Sequence, residues 1–278
     1  MALLAHNWQP HAIQFTFRVE PHVAPVLFTQ RVKGRLQHAL RQGPAGEFPL
    51  PPGKLAGSVL SGELAVPPRD LASREAEFRP LPGKPAGSPP HRAPDKPAGS
   101  QAQSLPTAAG SAVRFSRKVG MRAIGENISE VVIGYVREQL AHVDLADARY
   151  RATLAEQAIE DANVNLAAPS EANSGRYWYN LHLIMVLAGR FRLGREEGLL
   201  RLRPAAQATA SQENCAIKVL AIMPDHIHIA LRGNIERSPV AIGVAFQNAL
   251  AAAAGCWLFQ DRFYVSSFGE YGLAAVTG

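Results

Sequence analysis

The stretch Ala221-Ile222-Met223-Pro224-Asp225-His226-Ile227-His228-Ile229-Ala230-Leu231 sets two histidines, two positions apart, at the mouth of an apolar, β-branched run. Side chains alternate across a strand, so His226 and His228 share one face while Ile227 and Ile229 enter the opposite layer. Two neutral imidazoles side by side are half of a metal site. Pro224 and Asp225 form the turn that opens the strand, placing the pair at a strand end where coordination positions stay open. Strand histidines also serve as ordinary structural or solvated groups, so the surrounding pattern has to decide between the two.

Working outward, Tyr177–Leu187 (YWYNLHLIMVL) is a β-prone run and Arg195–Glu213 reads as a helix. Cys215–Met223 and His226–Arg232 are strands joined by the Pro-Asp turn. Ser238–Ala254 is an Ala-rich helix with Ser238 as cap and Pro239 at its first position. Trp257–Val265 is a fourth strand, and another helix begins at Gly269. The order β-α-β-β-α-β predicts an α+β, ferredoxin-like domain over residues 174–278, with an antiparallel sheet, helices on one face, and the histidines on the open face.

Upstream, residues 1–42 and 113–173 read as an N-terminal α+β half. Gln14–Glu20 alternates like a strand, and Leu27–Arg41 has helical apolar spacing at Leu27, Val32, Leu36 and Leu40. Val113–Ile124 reads as one or two strands, and Ser129–Val143 as a helix capped by Ser129. Residues 43–112 are foreign to both halves. Fourteen of the chain's 21 prolines fall there, a Lys-x-Ala-Gly-Ser unit recurs at Lys54, Lys84 and Lys96, and the only aromatics are Phe48 and Phe78. Such a segment lacks the apolar surface to offset its ordering entropy and is expected to be a disordered insertion.

The 278 residues carry a net charge of +6, which suits a polyanionic partner. With two cysteines, Cys215 and Cys256, there is no disulfide framework and no zinc motif, so a reducing, cytoplasmic setting is expected. The N-terminus has no basic n-region with a long apolar core, and no apolar run approaches the roughly 20 residues that span a bilayer. Arg190, Arg192 and Arg195 surround Phe191 and Leu193. They read equally as a DNA-binding patch, with arginines on phosphates and the aromatic on a base, or as a solvated helix face.

MPDHIHIALRG, followed by a helix and then WLFQDRFYVSSFGEYGLAAV, resembles the small HUH-class tyrosine transposases, the insertion-sequence-200-like and REP-associated enzymes. The resemblance covers roughly Tyr177–Val276 and is strongest at His226, His228, Trp257, Tyr264, Ser266, Ser267 and Gly269. It implies DNA transposition by a mobile element: cleavage and rejoining of single-stranded or hairpin DNA by a tyrosine, with Mg²⁺ or Mn²⁺ held by His226 and His228. In that family the nucleophile follows the Ser-x-x-Gly turn by about ten residues, and counting from Gly269 ends at or just past Gly278. The domain therefore reads as C-terminally truncated, and Tyr271 is the substitute nucleophile. Tyr264 reads as a packing residue, Tyr135 and Tyr150 are weaker candidates, and His182 reads as a structural histidine.

Two alternatives stay open: a DNA-binding relic that cannot cleave, and a metal-dependent hydrolase with a water nucleophile. The family works as a dimer, so a homodimer or an internal pseudo-dimer is expected. The two halves are read as a degenerate repeat by matching Asn127 to Asn234, which puts Val119 and Met121 where His226 and His228 stand.

Overall fold

The computed structural model describes residues 2–9, 12–42, 115–190, 192–194, 196–255 and 258–277. The insertion 43–112, together with Phe191, Arg195, Cys256 and Trp257, lies outside the described residues.

The second half is built from β7 (Asn180–Leu187), α4 (Glu196–Gln212), β8 (Ala216–Ile222), β9 (His226–Arg232), α5 (Pro239–Ala254) and β10 (Phe259–Phe268). The strands stand in the order β10-β7-β9-β8, every neighbour antiparallel. The short β4 (Ile159–Glu160) adds a fifth strand beside β8. Local signals act as expected in α5. Ser238 accepts a hydrogen bond from the Ala241 amide at 3.2 Å, Pro239 needs no donor at the first position, and Gly255 closes the helix in the left-handed region at φ 71°.

Alternation along the strands makes two buried layers. Leu183 and Met185 of β7, with Ile227 and Ile229 of β9, pack under Leu202 and Ala206 of α4 and Ile242 and Phe246 of α5. On the opposite face Val219, Ala221, Ala230 and Phe268 meet Val132 and Val136 of α2 (Ser129–Glu138). Helices therefore cover both faces, which corrects the expectation of one open face. The cause is the apolar stripe of α2, which the N-terminal half lays across the histidine side of the sheet.

The first half contributes β1 (Ala2–Gln9), β2 (Ala12–Arg18), α1 (Pro25–Gln42), β3 (Val119–Arg122), α2, α3 (Ala148–Gln157) and β4. β1 and β2 pair antiparallel, whereas β3 joins β5 (Ser170–Ala172) and β6 (Gly175–Trp178) in a three-stranded sheet and runs parallel to β6. Strand β1 carries no clear alternating pattern, so nothing in the sequence announces it. Two sequence expectations change here. The run Tyr177–Leu187 breaks at Tyr179, between a strand paired with β3 and one paired with β9 and β10. Ser129 is the first helical residue of α2 rather than its cap; Ile128 takes the cap position without a side-chain bond, and the Ser129 amide donates to the Gly269 carbonyl at 2.7 Å.

The match of Val119 and Met121 to the histidines is also corrected. They sit on β3, which leads through Gly125-Glu126 into α2, just as β10 leads through Gly269-Glu270 into α6 (Leu273–Thr277). The turns are bonded to each other reciprocally. Gly125 bridges Gly272 and Ile128 bridges Gly269; the Leu273 amide donates to the Gly125 carbonyl at 2.8 Å, mirroring Ser129 and Gly269. A Cβ on Gly125 would lie 2.0 Å from the Ser267 carbonyl oxygen, and one on Gly269 2.3 Å from that of Ala123, so both positions need glycine.

Candidate functional site

His226 and His228 project from β9 toward α2, with ring centroids 4.8 Å apart and planes nearly perpendicular. The adjoining positions on β7 are Val186 and Ile184, in register with His226 and His228, and His182 lies one pleat further along the same face. His182 Nε2 stands 3.1 Å from His228 Nδ1, and the two rings stack at 5.3 Å. His226 Nδ1 donates to Asp225 Oδ1 at 2.7 Å, and Arg190 Nη2 reaches Asp225 Oδ2 at 2.8 Å. Each histidine of the pair is thus held through Nδ1, and among the described residues no hydrogen bond engages Nε2 of either ring. This is the second-sphere pattern that orients metal-ligating imidazoles.

Electrostatics agree. Burial pushes the His182 pKa down to about 4; burial, reinforced by the His182 and His226 rings, pushes His228 down to about 3. His182 and His228 are therefore neutral near pH 7, the state in which His228 could serve as a ligand. Burial opposes ionisation of Asp225, but the hydrogen bond from His226 and the charges of His226 and Arg190 outweigh it and hold the carboxyl below its ordinary range. Among the described residues no group of three or more His, Cys, Asp or Glu could enclose an ion. Two imidazoles could grip an ion between them; His228 is buried beneath α2, 2 % exposed, so any further oxygen ligands would have to approach from the side of the partly exposed His226.

The tyrosine brought to this cluster is Tyr135 of α2. Its ring meets His228 edge-on at 5.4 Å and His182 at 6.2 Å, and it is 50 % exposed. Tyr271 stands elsewhere, in the turn before α6, its ring 5.9 Å from the Arg122 guanidinium. That guanidinium lies 3.8 Å over Trp178 and pairs with Glu270 at 2.9 Å. Tyr150 donates its hydroxyl to the Leu193 carbonyl, and burial raises its pKa. Tyr264 is partly exposed on β10, in register with Ile184 and so on the histidine face. The sequence signal for Tyr135 is its position ten residues past Gly125, the spacing that the family resemblance places after Gly269.

Of the three arginines, Arg190 is engaged by Asp225, Arg192 is exposed, and Arg195 is outside the described residues. A cleft of about 1580 Å³ is lined by four basic residues, Arg18, Lys33, Lys118 and Arg122, and two acidic ones, Glu20 and Glu126, with Trp178, Tyr264 and His182. These basic residues are scattered along the chain, so no local charge run announces them.

No protein-family model and no curated protein matches the chain. Solved structures similar over part of it include the following two. A candidate transposase of Deinococcus radiodurans R1 is 20 % identical over 33 % of this chain and 79 % of its own length, with a TM-score of 0.30. A REP-associated tyrosine transposase, bound to a REP hairpin, is 16 % identical over 34 % of this chain and 58 % of its own length, with a TM-score of 0.27. Among the described residues no helix is long and apolar enough to cross a membrane.

Proposed function

We propose that this chain is an HUH-class, transposase-like enzyme that cuts and rejoins single-stranded or hairpin DNA, with His226 and His228 as metal ligands and Tyr135 as nucleophile. The observation that carries the reading is the approach of Tyr135 to His228, where among the described residues no hydrogen bond engages the imidazole Nε2 of His226 or His228. We take the succession from β7 to β10 as the ferredoxin-like domain that positions this pair.

His226 and His228 would hold Mg²⁺ or Mn²⁺ through Nε2, and such an ion, when bound, neutralises charge on the phosphate oxygens. The remaining steps belong to the chain. Asp225 and His182 keep the imidazoles in the required orientation. Arg18, Lys33 and Lys118 neutralise the incoming backbone, while Tyr264 offers a ring face to unpaired bases. Tyr135 Oη bonds to phosphorus as the P–O3′ bond breaks; the phenolic proton passes to solvent, and the departing 3′ oxygen takes one up. The 5′-phosphotyrosine retains the energy of the diester, so attack by a 3′-hydroxyl rejoins DNA without ATP. A cytoplasmic location goes with this activity.

The test is to incubate the protein with end-labelled single-stranded DNA and Mn²⁺, denature it, and look for a covalent adduct. The wild type and Tyr271→Phe form it, and Tyr135→Phe does not. An adduct that persists in Tyr135→Phe overturns the assignment. Binding without cleavage would mark a relic, and cleavage without an adduct a water nucleophile.

A further inference from the structure

We infer that residues 2–42 and 115–138 are a second copy of the unit spanning 216–277, docked on it about a local twofold axis, and that the metal position in this copy has been vacated at Ala12 and Gln14. The observation behind this is the strand register. β1 and β2 pair as Ala2 with Arg18, Leu3 with Phe17, Ala5 with Thr16 and Asn7 with Gln14, the register shifting between Leu3 and Ala5. β8 and β9 pair as Ala216 with Arg232, Ile217 with Leu231, Val219 with Ala230 and Ala221 with His228, the register shifting between Ile217 and Val219. Each residue of the second set lies 214 positions after its counterpart in the first, the irregularity included. Helices α1 and α5 begin at Pro25 and Pro239, the same interval apart.

Contacts between the copies are reciprocal, which a twofold axis requires. The Val26 amide donates to the Ile235 carbonyl and the Val240 amide to the Pro21 carbonyl, both at 3.2 Å. The same interval separates Val26 from Val240 and Pro21 from Ile235. Beyond the insertion the interval becomes 144, and the Gly125 and Gly269 turns exchange bonds in both directions.

By this correspondence Pro10-His11-Ala12-Ile13-Gln14 aligns with Pro224-Asp225-His226-Ile227-His228. β2 keeps the pleat and places Ala12 and Gln14 two positions apart on an exposed face; alanine donates nothing, so of the pair only one amide oxygen remains, too few protein ligands to grip an ion between two side chains. The copy without a metal pair is the one whose helix α2 carries Tyr135 to the histidines of the other. Resting on the function proposed above, this gives each chain one cleavage centre assembled from two copies, and one covalent attachment per chain.

The experiment is Mn²⁺ calorimetry on the full chain and on the double variant Ala12→His/Gln14→His. One ion per wild-type chain and two per variant chain are expected, with one remaining when His226→Ala and His228→Ala are added to the variant. One ion in both proteins overturns the vacated-site inference and leaves the proposed function standing. No ion in the wild type overturns the proposed function and this inference with it. Intact-mass measurement of the wild type after reaction with excess single-stranded DNA needs no variant to fold: one adduct per chain supports the inference, and two overturn it.

Discussion

At the scale of single residues, His182 changes meaning between sequence and structure. Read from the sequence it is an isolated histidine in an apolar strand, and a structural role is the natural reading. In the fold its Nε2 lies 3.1 Å from His228 Nδ1. Under the proposed function, His228 donates through Nδ1 and keeps the lone pair on Nε2, which makes His182 a positioning residue. Replacing His182 with Phe should weaken Mn²⁺ affinity by roughly 10–100-fold, the usual cost of losing an outer-sphere partner. His182→Gln, which keeps a hydrogen-bonding group, should recover much of it, and isothermal calorimetry with a thermal melt separates ligand orientation from misfolding. Affinity unchanged in His182→Phe would refute the role. The double variant His226→Ala/His228→Ala should lose Mn²⁺ binding altogether.

At the scale of elements, the second half was legible because its signals are local. The Pro-Asp turn, the alternation from His226 to Arg232, and Ser238-Pro239 at the head of α5 each act within a few residues. The covering of the histidine face was not legible, because it depends on where α2 docks, and docking is set by side chains distant in sequence. Val136 is fully buried against β8 and β9, while Tyr135, one position earlier, turns to the histidines. The glycine turns fix that placement. Gly269→Ala would drive a methyl group to 2.3 Å from the Ala123 carbonyl oxygen. A loss of about 1–3 kcal/mol is expected from such overpacking, read in urea unfolding, together with reduced adduct formation as α2 shifts. Adduct formation at the wild-type level in a clearly destabilised Gly269→Ala would show that the turn does not position Tyr135.

At the scale of the whole molecule, the basic charge excess and the cleft lined by Arg18, Lys33, Lys118 and Arg122 make a general prediction about DNA. Affinity for single strands should fall linearly on a plot of log K against log salt, as phosphate contacts are lost to counterions. A flat salt response in filter binding would refute it. The insertion bears on the architecture more sharply. Helix α5 reaches β10 through residues 255–258 alone, whereas α1 and the chain leading into β3 are separated by residues 43–114. Yet both ends of that long connection meet at α1: Gln37 Oε1 accepts from the Phe115 amide at 3.2 Å, and Lys33 Nζ donates to the Arg117 carbonyl at 2.6 Å. The returning chain is thus tied to the middle of α1, and loop length itself enters stability only logarithmically. Replacing residues 43–114 with a short Gly/Ser linker should therefore leave the thermal midpoint within a few degrees of wild type (about 1 kcal/mol or less) and preserve both Mn²⁺ binding and the Tyr135 adduct. A large fall in the midpoint would mean that the proline-rich segment packs on the folded unit, and that the expectation of disorder drawn from its composition is wrong.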